Sequence, residues 1–97
     1  MIRHFDGCPN WAIARDRLIE AMAEVGLDPA AIEFERVETD EEARRLEFRG
    51  SPTVLVDGTD PFAPSDAPVG LSCRMYHTEA DLEGSPSVAQ LVEALRP

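Results

Sequence analysis

Lysine is absent from this chain, and all nine of its basic residues are arginine. Schiff-base chemistry and the phosphate-binding lysine of nucleotide loops are thereby excluded. Positive charge is scarce altogether: 19 acidic residues stand against 9 basic ones, for a formal net charge of −10. Nucleic-acid phosphates and anionic membranes both demand a basic face, so neither is an expected partner. No apolar run approaches the roughly 20 residues that span a bilayer. Residues 1–6 lack the apolar stretch of a secretory signal, so a cytoplasmic location is expected. Cysteine is limited to Cys8 and Cys73, too few for the disulfide framework of a small secreted domain. Their spacing matches no zinc pattern, and the acidic runs 38–42 and 79–83 lack the Asp-x-Asp spacing of a calcium loop. No metal or other cofactor is expected.

What is present suits one globular domain. The 97 residues leave room for a single core, and 43% apolar with 29% charged residues is ordinary for a folded protein. Residues 1–5 read as a strand and Asp6-Gly7 as the turn leaving it. Trp11, Ala14, Leu18, Met22 and Val25 recur every three or four positions, which predicts a helix with one buried stripe. Pro9 suits its first turn and Gly26 its left-handed end. Residues 32–37 read as an edge strand, because Arg36 falls on the face shared by Ile32 and Phe34. Thr39 with Glu42 predicts a capping box opening a short helix that carries Ala43 and Leu46 and stops by Gly50.

Residues 53–56 form a β-branched apolar run, and Asp57-Gly58 turns it around. The stretch 59–70 holds three prolines and no periodicity, so it reads as a long loop. Residues 71–76 are the next strand candidate. Ser85-Pro86 reads as the cap and first position of a last helix with Val88, Leu91, Val92 and Leu95 on its apolar face. The order βαβαββα predicts an α/β domain with a central four-stranded mixed sheet flanked by helices on both faces. Its first two strands are expected parallel and the third antiparallel, paired with the fourth.

The chemistry centres on Cys8. A cysteine at the mouth of a helix feels the positive end of the dipole and free backbone N–H groups, which favour thiolate. Such placement lowers a thiol pKa from about 8.5 to roughly 3.5–7.5 and makes a nucleophile for thiol–disulfide exchange. The plain alternative is a small buried hydrophobe; the flanking Asp6-Gly7 and Pro9-Asn10 point to a turn instead. Trp11 stands where a C-x-x-C pair carries its second thiol, so a mixed disulfide on Cys8 would need an outside thiol for release, a monothiol cycle. Trp11 is equally readable as a substrate contact or as the first residue of the buried stripe.

Cys73 is a candidate partner, but geometry opposes it. In a sheet ordered second–first–third–fourth its strand lies two places from that of Cys8, roughly 9–10 Å away, beyond the roughly 7 Å limit for a disulfide. A structural, buried Cys73 is therefore expected, with an auxiliary role left open. Ser51-Pro52 reads as an X-Pro turn opening a strand; a cis bond there would turn the Ser51 N–H and C=O outward to pair with an extended substrate. The alternative is an ordinary trans proline. His77, at the far end of the last strand, and His4, in the first, are further candidates for proton transfer.

Phe5-x-x-Cys8-Pro9-x-Trp11, Gly50-Ser51-Pro52-Thr53 and Asp57-Gly58 together resemble the thioredoxin superfamily, in particular small thioredoxin-like proteins of about this length. The resemblance covers the whole element order but only these short motifs in identity. It implies that Cys8 is the nucleophile position, Pro52 the cis-proline and Ser51 the residue before it. Two departures stand out. Trp11 replaces the second cysteine, and the glutathione-anchoring Thr-Val-Pro and Gly-Gly-x-Asp patterns of glutaredoxins are absent.

The leading expectation is a thiol-redox protein acting through Cys8 on a disulfide-bearing protein or a low-molecular-weight thiol, the latter also the possible reductant. A second is a non-catalytic binding module that uses the 59–70 loop, with Phe62 as an exposed anchor. A third is a thiolate that captures soft metals or organomercurials. Oligomeric state is not set by the sequence.

Overall fold

Strand β1 (Ile2–His4) is the hub of the computed structural model, which describes residues 1–62 and 68–96. It pairs in parallel with β2 (Phe34–Arg36), Ile2 opposite Phe34, and antiparallel with β3 (Thr53–Val54), Ile2 opposite Val54. The sheet order is β2-β1-β3. The parallel first pair and antiparallel third strand match the order of elements predicted from the sequence. Strand β2 is an edge strand, and its Phe34 is half exposed, as the misplaced Arg36 foretold.

Helix α1 (Asn10–Glu24) connects β1 to β2 and buries Ala14, Leu18, Ala21 and Met22. Gly26 takes φ +81, and the Leu27 N–H reaches back to the Met22 carbonyl at 2.8 Å, a left-handed termination that a glycine permits without Cβ strain. Helix α2 (Asp40–Leu46) starts at Thr39, whose Oγ1 accepts from the Glu42 N–H at 3.1 Å. Glu42 Oε1 accepts from the Glu38 N–H at 3.3 Å, one residue before the position the capping-box reading assigns it. Helix α3 (Val88–Leu95) is capped by Ser87 with Gln90 in a reciprocal box, two residues later than Ser85-Pro86 suggested. Ser85 and Pro86 are instead buried, and their carbonyls accept from Arg17 of α1 at 3.4 and 3.2 Å.

Ile2, Leu18, Ala21, Met22, Val54, Leu91 and Val92 form the main core, where α1 and α3 meet the sheet. Fully burying a leucine such as Leu91 contributes about 2 kcal/mol. A smaller cluster of Val37, Ala43 and Phe48 seats α2.

The four-stranded sheet read from the sequence is not what the hydrogen bonds form. Residues 71–76 give the sheet only one bridge, Ser51 opposite Cys73. Regular pairing starts later, in a separate hairpin of β4 (Tyr76–Thr78) and β5 (Asp81–Glu83). The physical reason is local. Pro52 follows Ser51 and has no N–H to continue a ladder. Arg74 also turns inward to Asp60 rather than outward as a strand's polar residue would.

Candidate redox site at the start of the first helix

Three segments converge on Cys8. The turn after β1 closes with the Cys8 N–H donating to the Phe5 carbonyl at 3.2 Å. Helix α1 then begins with Pro9 at its cap position and no side-chain cap. Of its first-turn N–H groups, that of Ala12 donates to the Pro9 carbonyl at 3.3 Å, and Cys8 immediately precedes the cap residue. The third segment is the Ser51-Pro52 turn, whose peptide bond is cis. The Phe5 N–H donates to Ser51 Oγ at 3.3 Å, and Cys8 Sγ lies 3.5 Å from the Ser51 carbonyl oxygen. The helix end favours a thiolate at Cys8; the carbonyl favours a thiol that can donate to it.

Cys8 is bonded to Cys73, with the Cα atoms 5.7 Å apart. This overturns the expectation that Cys73 is an isolated buried residue. Cys8 is fully buried, whereas Cys73 is exposed. Counting strands across a sheet misplaced Cys73, because residues 72–74 do not lie one strand further out. They lie directly on the Ser51 turn: the Ser51 N–H donates to the Ser72 carbonyl at 2.8 Å, and the Arg74 N–H donates to the Ser51 carbonyl at 2.9 Å. The same two bonds correct the reading of Ser51 as an open docking position. Ser51 is fully buried and both its backbone groups are taken by the chain itself. Pro52 is buried too, and its carbonyl accepts from the Tyr76 hydroxyl.

No family model matches this chain, and neither a curated protein nor a solved structure does. Geometry alone carries the functional argument.

Arg74, which the sequence reading passed over, holds Cys73 in place. It is 2% exposed, pairs with Asp60 at 2.7 Å, donates to the Phe62 carbonyl at 3.3 Å and lies 4.7 Å over the Tyr76 ring. A buried arginine is tolerated only when its charge is matched and its donors are used. Burial also pushes the Tyr76 hydroxyl pKa upward, against the opposing field of Arg74. Phe62 is correspondingly half-buried, edge-on to Tyr76 with centroids 5.5 Å apart. It is not the exposed anchor expected of a docking loop. Residues 63–67, the middle of that loop, lie outside the described residues.

Trp11 sits half-buried with its ring stacked on His4, centroids 4.5 Å apart, edge-on to Phe34 and under Arg15. His4 is buried, and its Nδ1, 3.7 Å from Asp6 Oδ1, has no hydrogen-bond partner. Burial lowers its pKa; Asp6 opposes this and Arg36 adds to it. His77 is exposed on β4, and its carbonyl accepts from Gln90 at 2.7 Å; it does not join the Cys8–Ser51–Cys73 cluster. Beside the Cys8 turn, Phe5, Asp6, Gly7, Val37 and Leu71 line a shallow cleft of about 340 Å³, edged by the Asp6–Arg36–Glu38 ion pairs. Among the described residues no group of three or more His, Cys, Asp or Glu is placed to hold a metal ion, and no helix is long and apolar enough to cross a membrane.

Proposed function

We propose that this chain is a thiol–disulfide redox protein of the thioredoxin-like kind, cycling between the Cys8–Cys73 disulfide and two thiols. One observation carries the reading: the two cysteines, 65 residues apart in sequence, are bonded at an uncapped helix N-terminus against the Ser51-Pro52 turn. A disulfide whose only task is to brace a fold does not need a site that stabilises one of its sulfurs as a thiolate. The thioredoxin-like assignment is supported by the parallel β1–α1–β2 unit with Cys8 at its turn and by the antiparallel β3 that opens after Ser51-Pro52. In this reading the Ser51–Cys73 bridge and β4 stand for a shortened fourth strand, and α2 covers the face opposite α1 and α3.

The cycle differs from the monothiol scheme that Trp11 suggests. Cys73 supplies the second thiol from a distant part of the chain, so the mixed disulfide can be released internally. Segment 72–74 is held by Ser51 and Arg74 independently of the sulfur bond. After reduction the two thiols therefore stay close, and reclosure is intramolecular. The partner is a low-molecular-weight thiol or a disulfide-bearing protein.

The protein-binding alternative loses its anchor with Phe62 half-buried. Capture of soft metals would require the pair to be opened first. Reduction of a small disulfide, bis(2-hydroxyethyl) disulfide, with glutathione as electron donor tests the proposal. Wild type is expected to accelerate the exchange, and the double variant Cys8→Ser/Cys73→Ser to lose the acceleration. Wild type no faster than the buffer reaction would contradict it.

A further inference from the structure

The redox reading leaves open which sulfur meets the partner, and the two are not equivalent. Resting on that reading, we infer that Cys73 is the sulfur attacked by the partner thiol and the carrier of the mixed disulfide, while Cys8 is the internal leaving group that later recloses the pair.

Thiolate attack on a disulfide proceeds in line, from the side of the attacked sulfur opposite the departing one, and depends on access to that sulfur. Cys8 is 0% exposed, and the Ser51 carbonyl oxygen stands 3.5 Å from its sulfur. An incoming anion would have to displace packed chain and approach a carbonyl oxygen. Cys73 is exposed, as is Met75 two residues along the same segment, at 52%. Among the described residues, Cys73 is the solvent-exposed member of the pair.

Departure favours the same direction. When a partner thiolate attacks Cys73 Sγ, a bond forms between the partner sulfur and Cys73 Sγ, the Cys8–Cys73 bond breaks, and the electron pair leaves on Cys8 Sγ. That thiolate forms at the uncapped N-terminus of the 15-residue α1, where backbone N–H groups and the dipole stabilise it. A second partner thiolate then attacks the partner sulfur of the mixed disulfide. The partner disulfide departs, and the electron pair on Cys73 takes a proton. Two partner thiols are oxidised and one protein disulfide is reduced. In reverse, the Cys73 thiolate attacks a partner disulfide and expels one thiolate. The Cys8 thiolate then attacks Cys73 Sγ and expels the other.

The same geometry narrows the partner. Both backbone groups of Ser51 are already bonded to residues 72 and 74. While Cys73 is docked, no extended peptide can add there as a strand. A low-molecular-weight thiol needs no such edge.

The test is to mix oxidised wild-type protein with glutathione, quench with acid, alkylate the free thiols and locate the glutathione adduct by peptide mapping. An adduct on Cys73 with Cys8 alkylated is the expected result. An adduct on Cys8 overturns the inference and leaves the redox reading standing. A disulfide that stays intact in the folded protein, with no adduct, overturns both. Where the adduct turns over too fast to map, the single-cysteine variants decide. Cys73 in Cys8→Ser is expected to react with glutathione disulfide at least about tenfold faster than Cys8 in Cys73→Ser, since access sets the rate. Equal rates or the opposite order overturn the inference.

Discussion

Cys8 and Cys73 end in one bond but are held by different kinds of structure. Cys8 sits where β1 passes into α1, two regular elements whose core residues Ile2, Leu18 and Met22 are buried in the main cluster. Cys73 sits in irregular chain between Gly70 and β4, fixed by two backbone bonds to Ser51 and by the Arg74–Asp60 ion pair. The first sulfur is positioned by apolar packing, the second by a handful of polar contacts. Packing is non-directional and tolerant, while polar anchors are specific and fail one at a time. The redox pair proposed above would use both: a buried sulfur, and an exposed one on a segment anchored apart from the sulfur bond.

The largest expected effect comes from cutting the bond that joins the two regions. It closes 65 residues, and loop-closure entropy alone assigns roughly 4 kcal/mol to a loop of that length. Urea unfolding with and without reductant measures it. A loss below about 1 kcal/mol would mean that the reduced chain stays restrained in other ways.

Next is Arg74→Ala. Removing one member of a pair whose arginine is 2% exposed is expected to cost about 3 kcal/mol. Hydrogen exchange should speed up in residues 70–76 more than in α1 or α3. Uniform acceleration would erase the distinction between the two regions.

Gly50→Ala probes the seam between them. Gly50 has φ +107, and an added Cβ would lie 2.9 Å from Arg74 Cβ and 3.1 Å from the Arg74 nitrogen and the Ser72 oxygen. Backbone strain at the left-handed angle and that contact together should destabilise the chain by about 2 kcal/mol, measured by chemical denaturation. The same substitution should slow reclosure of the disulfide by moving the Cys73 segment off Ser51.

The smallest effect belongs to the regular side. Burial holds the folded pKa of His4 below the ordinary value of 6.5, so the unfolded chain takes up the proton first as pH falls. The contribution of His4 is full above pH 6.5 and is lost from there down to the lower folded value. Between pH 8 and pH 5, wild type is expected to lose stability relative to His4→Phe as the pH falls. Parallel curves would mean that His4 is not buried in its neutral form.

The sequence made the regular region legible and left the polar one obscure. The stripe from Ala14 to Met22, the stop at Gly26, the Thr39 cap and the turn at Ser51-Pro52 are local signals, each contained within a few residues. The 71–76 segment inverts the usual alternation. Arg74 and Tyr76 face inward while Cys73 and Met75 are exposed, so a reading by hydrophobicity puts the cysteine on the wrong face. The signal that would have corrected it is the pairing of Arg74 with Asp60, 14 residues away across the loop, which no period reveals. The Cys8–Cys73 bond was hidden for the same reason: it depends on where the Ser51 turn places residues 72–74.

The central claim is that the Cys8–Cys73 bond opens and closes reversibly in the folded protein. Equilibration in thiol–disulfide buffers of graded potential, followed by alkylation and mass measurement, tests it directly. A single reversible transition with a midpoint above about −300 mV, and circular dichroism unchanged through it, is the expected result. A bond that remains closed at more negative potentials, as structural disulfides do, or that opens only as the chain unfolds, would contradict it.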